Sequence, residues 1–267
     1  MQIPPDLFSI TTDYVTSYGS PQPYLQRIAE AGFTHIHWCH HWDTDFLYTE
    51  PEIAQIQRWL REYHLQTLNL HASAGREKSW ESELEYARLA GVELVRNRLR
   101  MAARLGADVI VLHASTPANL EYQRRSLSQW EAEARFLGIR IALENSGKKG
   151  IRFLDQLFSE FPPDYLGLCY DTGHGNMNGN ALDILDRYRD RLIAVHIHDN
   201  DGRDDLHKLP FTGTVDWDRF MNILSNSVYN KPLNLEVIKT NHPEMNEDQF
   251  LRAAYQAGER LMTLVSG

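Results

Sequence analysis

The sequence predicts an α/β fold in which residues 1–267 form a single (β/α)8 barrel. A short β-branched or apolar run followed by a helical pattern recurs eight times, and no Pro/Gly/Ser-rich linker divides the chain. Alternating strands and helices require a parallel sheet, and eight such units can close into a barrel without exposed edges. An open doubly wound sheet is the alternative, but no GxGxxG turn follows the first predicted strand.

The predicted strands are short apolar or β-branched runs, and a polar turn follows each of them. A segment with apolar residues at helical spacing comes next, as in QPYLQRIAEAG after the first strand. In chain order the predicted strands are Phe8–Thr12, Phe33–Cys39, Leu65–Ala72, Asp108–Ala114, Ile139–Glu144, Tyr165–Asp171, Leu192–Asp199 and Pro232–Ile238.

The composition predicts a soluble, cytoplasmic protein. Hydrophobic residues make up 42% and charged residues 24% of the chain, which is near the globular average. No apolar run approaches the roughly 18 residues of a membrane span, and MQIPPDLFSI lacks the basic and apolar regions of a signal peptide. Cys39 and Cys169 lack CxxC spacing, so we expect buried thiols in a reducing cytosol.

The charge balance argues against nucleic acid as a partner. The formal net charge is −9, and no basic run lies near the predicted strand ends. Carboxylates gathered around divalent cations would contribute to such an acidic excess, because they count as negative in the sum while a bound ion neutralises them.

Residues with metal-binding side chains recur at the ends of six consecutive predicted strands, and in a (β/α)8 barrel these ends form one rim. Individually, such a histidine could bond a loop carbonyl, and such an aspartate could cap a helix. Together, converging carboxylates and imidazoles would repel or stay unsatisfied without a cation, so the sequence predicts a metal centre. The residues are His71, His113, Glu144, Asp171, His196 with His198, and Glu236.

Two loops add candidate ligands. In YDTGHGN the glycines should let one turn bring Asp171 and His174 to the same mouth. After the seventh strand, Asp205 and His207 should share a face of an extended segment, since alternate residues of a strand do so. His198 has the same parity as His196 and could replace it as a ligand. The remaining histidines are predicted to be surface, loop or core residues: His35, His37, His40, His41, His64 and His242.

These motifs resemble the xylose isomerase-like TIM-barrel superfamily. The resemblance rests on ALEN with Glu144, DTGH with Asp171 and His174, VHIHD with His196, D-x-H with Asp205 and His207, and LEV with Glu236. That group contains sugar phosphate isomerases and epimerases, and also AP endonucleases with a trinuclear zinc site. The resemblance covers nearly the whole chain and is firmest from the third strand onward.

The resemblance implies a divalent metal cofactor, Zn, Mn, Mg or Co, with one to three ions. The epimerase pattern implies one ion on Glu144, Asp171, His196 and Glu236, with His174 contacting the substrate. The endonuclease pattern implies three ions. The first would be held by His71, His113 and Glu144, the second by Glu144, Asp171, His196 and Glu236, and the third by His174, Asp205 and His207.

The two patterns correspond to different chemistry. In an isomerase or epimerase the metal would chelate a sugar carbonyl and the adjacent hydroxyl and stabilise an enediolate, while Glu144 and Glu236 remove and return a proton. In a hydrolase three ions would stabilise the incoming and departing oxygens of a phosphoester. A metal-stabilised barrel that binds a sugar without turnover is a third hypothesis.

Three further residues are candidates for substrate binding. Trp42, together with Phe46 and Tyr48 in HHWDTDFLY, would offer an apolar wall to a sugar ring, or would pack a helix against the barrel. Lys148 and Arg203 would suit one phosphate, or would be ordinary solvated charges.

The sequence favours a metal-dependent isomerase or epimerase acting on a carbohydrate or sugar phosphate, because that activity is the commoner one in the resembled group. The alternative is a trinuclear-zinc phosphoester hydrolase related to AP endonucleases. The sequence leaves open the substrate, the metal and the oligomeric state.

Overall fold

The computed structural model describes residues 3–113, 120–146, 151–179 and 181–265. Its strands are β1 Phe8–Thr11, β2 His35–Trp38, β3 Gln66–His71, β4 Val109–His113, β5 Arg140–Glu144, β6 Leu166–Asp171, β7 Leu192–His196 and β8 Leu233–Leu235. They form one 8-stranded parallel sheet in the order β7-β6-β5-β4-β3-β2-β1-β8.

A short parallel bridge between Ile197 and Leu235 brings the two outer strands, β7 and β8, together. The Ile197 N–H donates to the Asn234 carbonyl at 2.9 Å, and the Glu236 N–H donates to the Ile197 carbonyl at 3.0 Å. The sheet is therefore a nearly closed cylinder, and the predicted barrel is confirmed.

Helices follow the strands within the described part of the chain. They are α1 Gln22–Glu30, α2 Glu50–Glu62, α3 Glu85–Leu105, α4 Leu120–Leu137, α5 Ile151–Glu160, α6 Thr172–Met177, α7 Ala181–Arg187, α8 Trp217–Ser225 and α9 Glu247–Thr263. Capping boxes at Thr49 and Asn246 satisfy the first N–H groups of α2 and α9. Among the helices described, none is long and apolar enough to cross a membrane.

Three predicted elements differ from the observed ones. The predicted seventh and eighth strands extend too far, because β7 ends at His196 and β8 at Leu235, so His198 and Glu236 lie just beyond their strands. The predicted turn after Asp171 is the short helix α6. Asp171 caps it, since its Oδ1 accepts the N–H of His174 at 2.7 Å.

Strand alternation explains why the site lies at one end of the barrel. A small buried apolar cluster contains Val111, Ala142, Cys169 and Ala194. Each of these residues precedes a candidate ligand by two positions, and residues two apart share a face of a strand. The same faces are thus apolar lower in the barrel and end in His113, Glu144, Asp171 and His196.

Candidate metal centre

Glu144, at the end of β5, lies at the centre of the candidate site and is only 2% exposed. Its Oε1 lies 2.8 Å from Nδ1 of His174. Its Oε2 lies 3.1 Å from Nε2 of His113 and 3.1 Å from Nδ1 of His196. His71 is slightly farther, with Nε2 3.7 Å from Oε2. Residues from the ends of β3, β4 and β7 and from α6 therefore surround one carboxylate.

Glu236 also faces the imidazole of His196. Its Oε2 lies 3.0 Å from Nδ1 of His196. Its Oε1 lies 3.6 Å from Nε2 of His37 and 4.0 Å from Sγ of Cys39. Since Glu236 is 8% exposed and His196 is 0% exposed, the two glutamates approach one buried ring nitrogen.

A third set of residues lies beside Asp171. Nε2 of His198 is 3.0 Å from Oδ1 of Asp171 and 3.7 Å from Oδ1 of Asp205. Nε2 of His207 is 3.2 Å from Oδ2 of Asp205, and the rings of His198 and His207 stack at 3.9 Å. Nε2 of His174 lies 3.2 Å from the same Asp205 oxygen. His198 thus contacts the residues after β7 and does not occupy a position equivalent to that of His196.

The glycine beside His174 has a different role from the predicted one. Gly173 has ordinary helical geometry, but a Cβ built on it would lie 1.9 Å from Cε1 of His198. The glycine is therefore required for the close approach of a ring and not for backbone bending.

The Asp205-Leu-His207 segment is not simply extended as predicted. His207 has φ +41°, which is in the left-handed region. Its Nδ1–H donates to the Glu236 carbonyl at 2.9 Å, which leaves Nε2 directed at Asp205. The structure brings Asp205 and His207 together, but through a bend that this hydrogen bond stabilises.

The site is electrostatically compensated by its histidines. Burial raises the pKa of Glu144, but the charges of His113 and His196 outweigh burial and hold that pKa well below its usual range. Burial lowers the pKa of His174, yet Asp171, Asp205 and Glu144 raise it to about 12. A metal ion would therefore compete with protons for these imidazoles, because a metal ligand must be deprotonated.

The residues fit a divalent cation. Neither oxygen of Glu144 has a well-directed hydrogen bond among the described residues, and the same holds for both ring nitrogens of His196. Buried polar atoms are normally paired, so these atoms indicate a shared positive partner. Ligand atoms within 4.8 Å of one another occur in the sets His71, His113, Glu144; Glu144, Asp171, His174; His198, Asp205, His207; and His37, His71, His196, Glu236.

The residues that the sequence predicts to contact the substrate lie in different places in the structure. Trp42 lies at the site, stacked on His71 at 4.6 Å and edge-on to His113 at 5.2 Å. Tyr48 is 7% exposed and packs beneath the guanidinium of Arg98, so for this ring the packing alternative holds. Arg203 is exposed on the loop after β7. Lys148 lies outside the described residues.

Sequence reasoning missed His37, which it assigned to the residues outside the site. The ring is fully buried, and its centroid lies 4.5 Å from that of His196. The signal in the sequence was strand alternation. His37 precedes Cys39, the last residue of the predicted strand, by two positions, and the same alternation places other ligands on the inner face of the barrel. The other histidines of that group match the prediction. His40, for example, is buried beside Thr12, and His242 accepts the Leu209 N–H at 3.0 Å.

Comparisons with known proteins agree with this architecture. The family model described as "Xylose isomerase-like TIM barrel" matches residues 25–256. The "Uncharacterized protein y4fM" of Sinorhizobium fredii (strain NBRC 101917 / NGR234) is 33% identical over 91% of this chain and 88% of its own. The "Uncharacterized protein MJ1311" of Methanocaldococcus jannaschii is 26% identical over 71% of this chain and 70% of its own.

Solved structures share the fold over nearly their full lengths. A "D-tagatose 3-epimerase-like protein" has a TM-score of 0.79 at 22% identity and covers 97% of each chain. A xylose isomerase domain protein from Alicyclobacillus acidocaldarius has a TM-score of 0.77 at 21% identity, covering 98% of this chain and 99% of that one. A D-psicose 3-epimerase in the presence of D-fructose has a TM-score of 0.76 at 16% identity, covering 98% and 100%.

Proposed function

The chain belongs to the xylose isomerase-like TIM-barrel family, and we propose that it is a divalent-metal-dependent isomerase or epimerase acting on a carbohydrate or sugar phosphate. One observation carries the proposal. Nδ1 of His196 lies 3.1 Å from Glu144 and 3.0 Å from Glu236, so two buried carboxylates converge on one ring nitrogen. The sugar epimerases among the structural neighbours support the same reading.

Paired carboxylates are suited to moving a proton at a carbon next to a carbonyl. One of Glu144 and Glu236 acts as a carboxylate and removes the proton, which it later releases to solvent. The other takes up a proton from solvent and delivers it to the opposite face of the same carbon. Both carboxylates have pKa values well below their usual range, because neighbouring histidines outweigh the effect of burial, so both are ionised at neutral pH. When bound, a divalent cation would stabilise the negative charge that develops on the sugar oxygens.

The remaining residues have supporting roles in this proposal. A divalent ion would be held by Glu144, Asp171, His196 and Glu236. His174 contacts the substrate, since its ring lies between Glu144 and Asp205 near the mouth of the barrel. Trp42 provides an apolar wall for the sugar ring. Lys148 and Arg203 bind a phosphate if the substrate carries one. We place the activity in the cytosol, since Cys39 and Cys169 are free thiols.

The test is solvent deuterium exchange. Ketopentoses, ketohexoses and their phosphates are incubated in D2O with the protein loaded with Mn²⁺, Co²⁺, Zn²⁺ or Mg²⁺, and NMR follows the carbons next to the carbonyl. We expect exchange with at least one sugar and its loss in Glu144→Gln and Glu236→Gln. A sugar that binds without any exchange would instead support the non-catalytic barrel.

A phosphoester hydrolase is the second candidate, and the presence of several overlapping ligand sets in one site favours it. Elemental analysis of protein purified without added metal separates the two functions. About one equivalent per chain agrees with the epimerase, and about three equivalents with phosphoesterase activity would favour the hydrolase.

A further inference from the structure

We propose that His37 is an additional ligand of the ion held by His196 and Glu236, and that Asn69 orients its ring. This inference rests on the metal dependence proposed above. It adds a residue from β2, three strands from β5 in the sheet, to the set that binds the cation.

A contact with Asn69 orients the ring of His37. His37 and Asn69 are paired positions on β2 and β3, and Nδ1 of His37 lies 2.5 Å from Oδ1 of Asn69. An amide oxygen only accepts hydrogen bonds, so Nδ1 carries a proton, and in the neutral ring Nε2 presents its lone pair. A histidine fixed through one ring nitrogen by a hydrogen bond is the usual arrangement of a metal ligand.

The other ring nitrogen of His37, Nε2, faces Glu236. His37 is 0% exposed, and its Nε2 has no hydrogen-bond partner among the residues described. That nitrogen lies 3.6 Å from Oε1 of Glu236. A buried lone pair aimed at a carboxylate oxygen is unfavourable unless a positive charge lies between them.

The distance between His37 Nε2 and Glu236 Oε1 fits two ligands of one ion better than a hydrogen bond. A charge-assisted hydrogen bond between imidazolium and carboxylate would measure roughly 2.7–2.9 Å. Two ligands on a four-coordinate ion, or two equatorial ligands on a five-coordinate ion, lie about 3.3–3.5 Å apart, given metal–ligand distances near 2.0–2.1 Å. The observed 3.6 Å is closer to the second value. Ligand atoms of His37, His71, His196 and Glu236 also all lie within 4.8 Å of one another.

A nitrogen-rich set has a consequence for metal choice. Imidazoles suit Zn²⁺, Co²⁺ and related transition metals, whereas Mg²⁺ prefers oxygen ligands. With His37 included, the ion near Glu236 has at least two nitrogen ligands, His37 and His196. We therefore expect this position to select a transition metal over Mg²⁺.

The experiment uses Zn²⁺ and Co²⁺ alone as probes of the full-length protein. The variant is His37→Ala, and the matched control is His35→Ala, which removes a histidine of the same strand that bonds to Thr34. Competition with a chelator gives the dissociation constant, and the visible spectrum of bound Co²⁺ reports coordination. We expect His37→Ala to weaken binding by about 10²-fold or more and to change the spectrum, with His35→Ala unchanged.

Asn69 provides a second test that leaves His37 in place. Asn69→Asp retains an oxygen acceptor and should retain metal affinity, whereas Asn69→Leu should weaken binding by about 10- to 100-fold. The pair decides the question even if His37→Ala fails to fold.

The outcomes are distinguishable. If the wild-type protein binds metal and His37→Ala has the same affinity and the same cobalt spectrum, the assignment of His37 is overturned and the proposed function stays intact. Equal affinity of Asn69→Leu and Asn69→Asp would do the same. Wild-type protein that binds neither metal would overturn the proposed function and this inference together.

Discussion

Oε1 of Glu144 lies 2.8 Å from Nδ1 of His174, although the two residues belong to different strand-loop units of the barrel. Glu144 ends β5, and His174 lies in α6 after β6. The contact joins the centre of the candidate site to the loop after β7, because the other ring nitrogen of His174 faces Asp205.

Replacing Glu144 by Gln should abolish activity and leave the fold intact. A neutral amide is a weak metal ligand and cannot act as a base. We expect a loss of more than about tenfold in turnover, or roughly 1.4 kcal/mol in the barrier, with an unchanged circular dichroism spectrum. The exposed Glu62→Gln serves as control. Turnover above a tenth of the wild-type value would remove Glu144 from the centre of the mechanism.

The double variant Asp205→Asn with His207→Ala should distinguish the two chemistries. An epimerase should keep its ion at Glu144 and Glu236 and show mainly an increased KM, because the loop after β7 loses the bond between His207 and the Glu236 carbonyl. A hydrolase should lose about one metal equivalent and roughly 10² in rate, or about 2.7 kcal/mol. Metal analysis and kinetics together measure this, with the exposed neighbour Asp204→Asn as control.

Substitution of Gly173 by Ala should destabilise the protein through His198. The added methyl would overlap the imidazole, and forced overpacking costs about 1–3 kcal/mol. Urea unfolding of the metal-free protein measures the change. In a His198→Ala background the same substitution should cost much less, because the ring that it displaces is gone. An equal cost in both backgrounds would show that another contact excludes the methyl.

The stability of the protein should depend on pH through His40. Burial, and secondarily the charge of His41, lowers the pKa of His40 from 6.5 to about 4. The unfolded chain then binds the proton more readily, so the contribution of His40 to stability is fully present above pH 6.5 and is lost as the pH drops toward 4. The full effect is about 3 kcal/mol.

Unfolding in urea at several pH values tests this dependence. His40→Gln should flatten the stability curve between pH 6.5 and pH 4, because glutamine does not titrate. His64→Gln, at an exposed position, should leave the slope as it is in the wild type. A His40→Gln curve parallel to the wild-type curve would contradict the assignment.

Sequence periodicity was sufficient for the barrel and for most of the rim. Residues such as Glu144 and His196 end apolar runs, and strand alternation fixes which face they share with the residues before them. Local pattern therefore determined their direction without any knowledge of neighbouring strands.

Other features depended on contacts between distant segments. The register between β2 and β3 shifts at Ile36 and His37, so the pairing of His37 with Asn69 could not be inferred from either strand separately. The segment TGHGNM has no apolar periodicity, so α6 could not be predicted from the sequence pattern. The requirement for Gly173 arises from a ring that is 25 residues away in the chain.

The bridge at Ile197 gives the candidate metal centre a second consequence. β7 and β8 meet through this bridge, and His196 and Glu236 lie on its two sides. An ion held by both residues would act as a cross-link across the seam that this bridge closes. Amide hydrogen exchange at Ile197 and Glu236 should then be slow in the metal-loaded protein and should accelerate first when the metal is removed, so the cofactor would govern where the barrel begins to open.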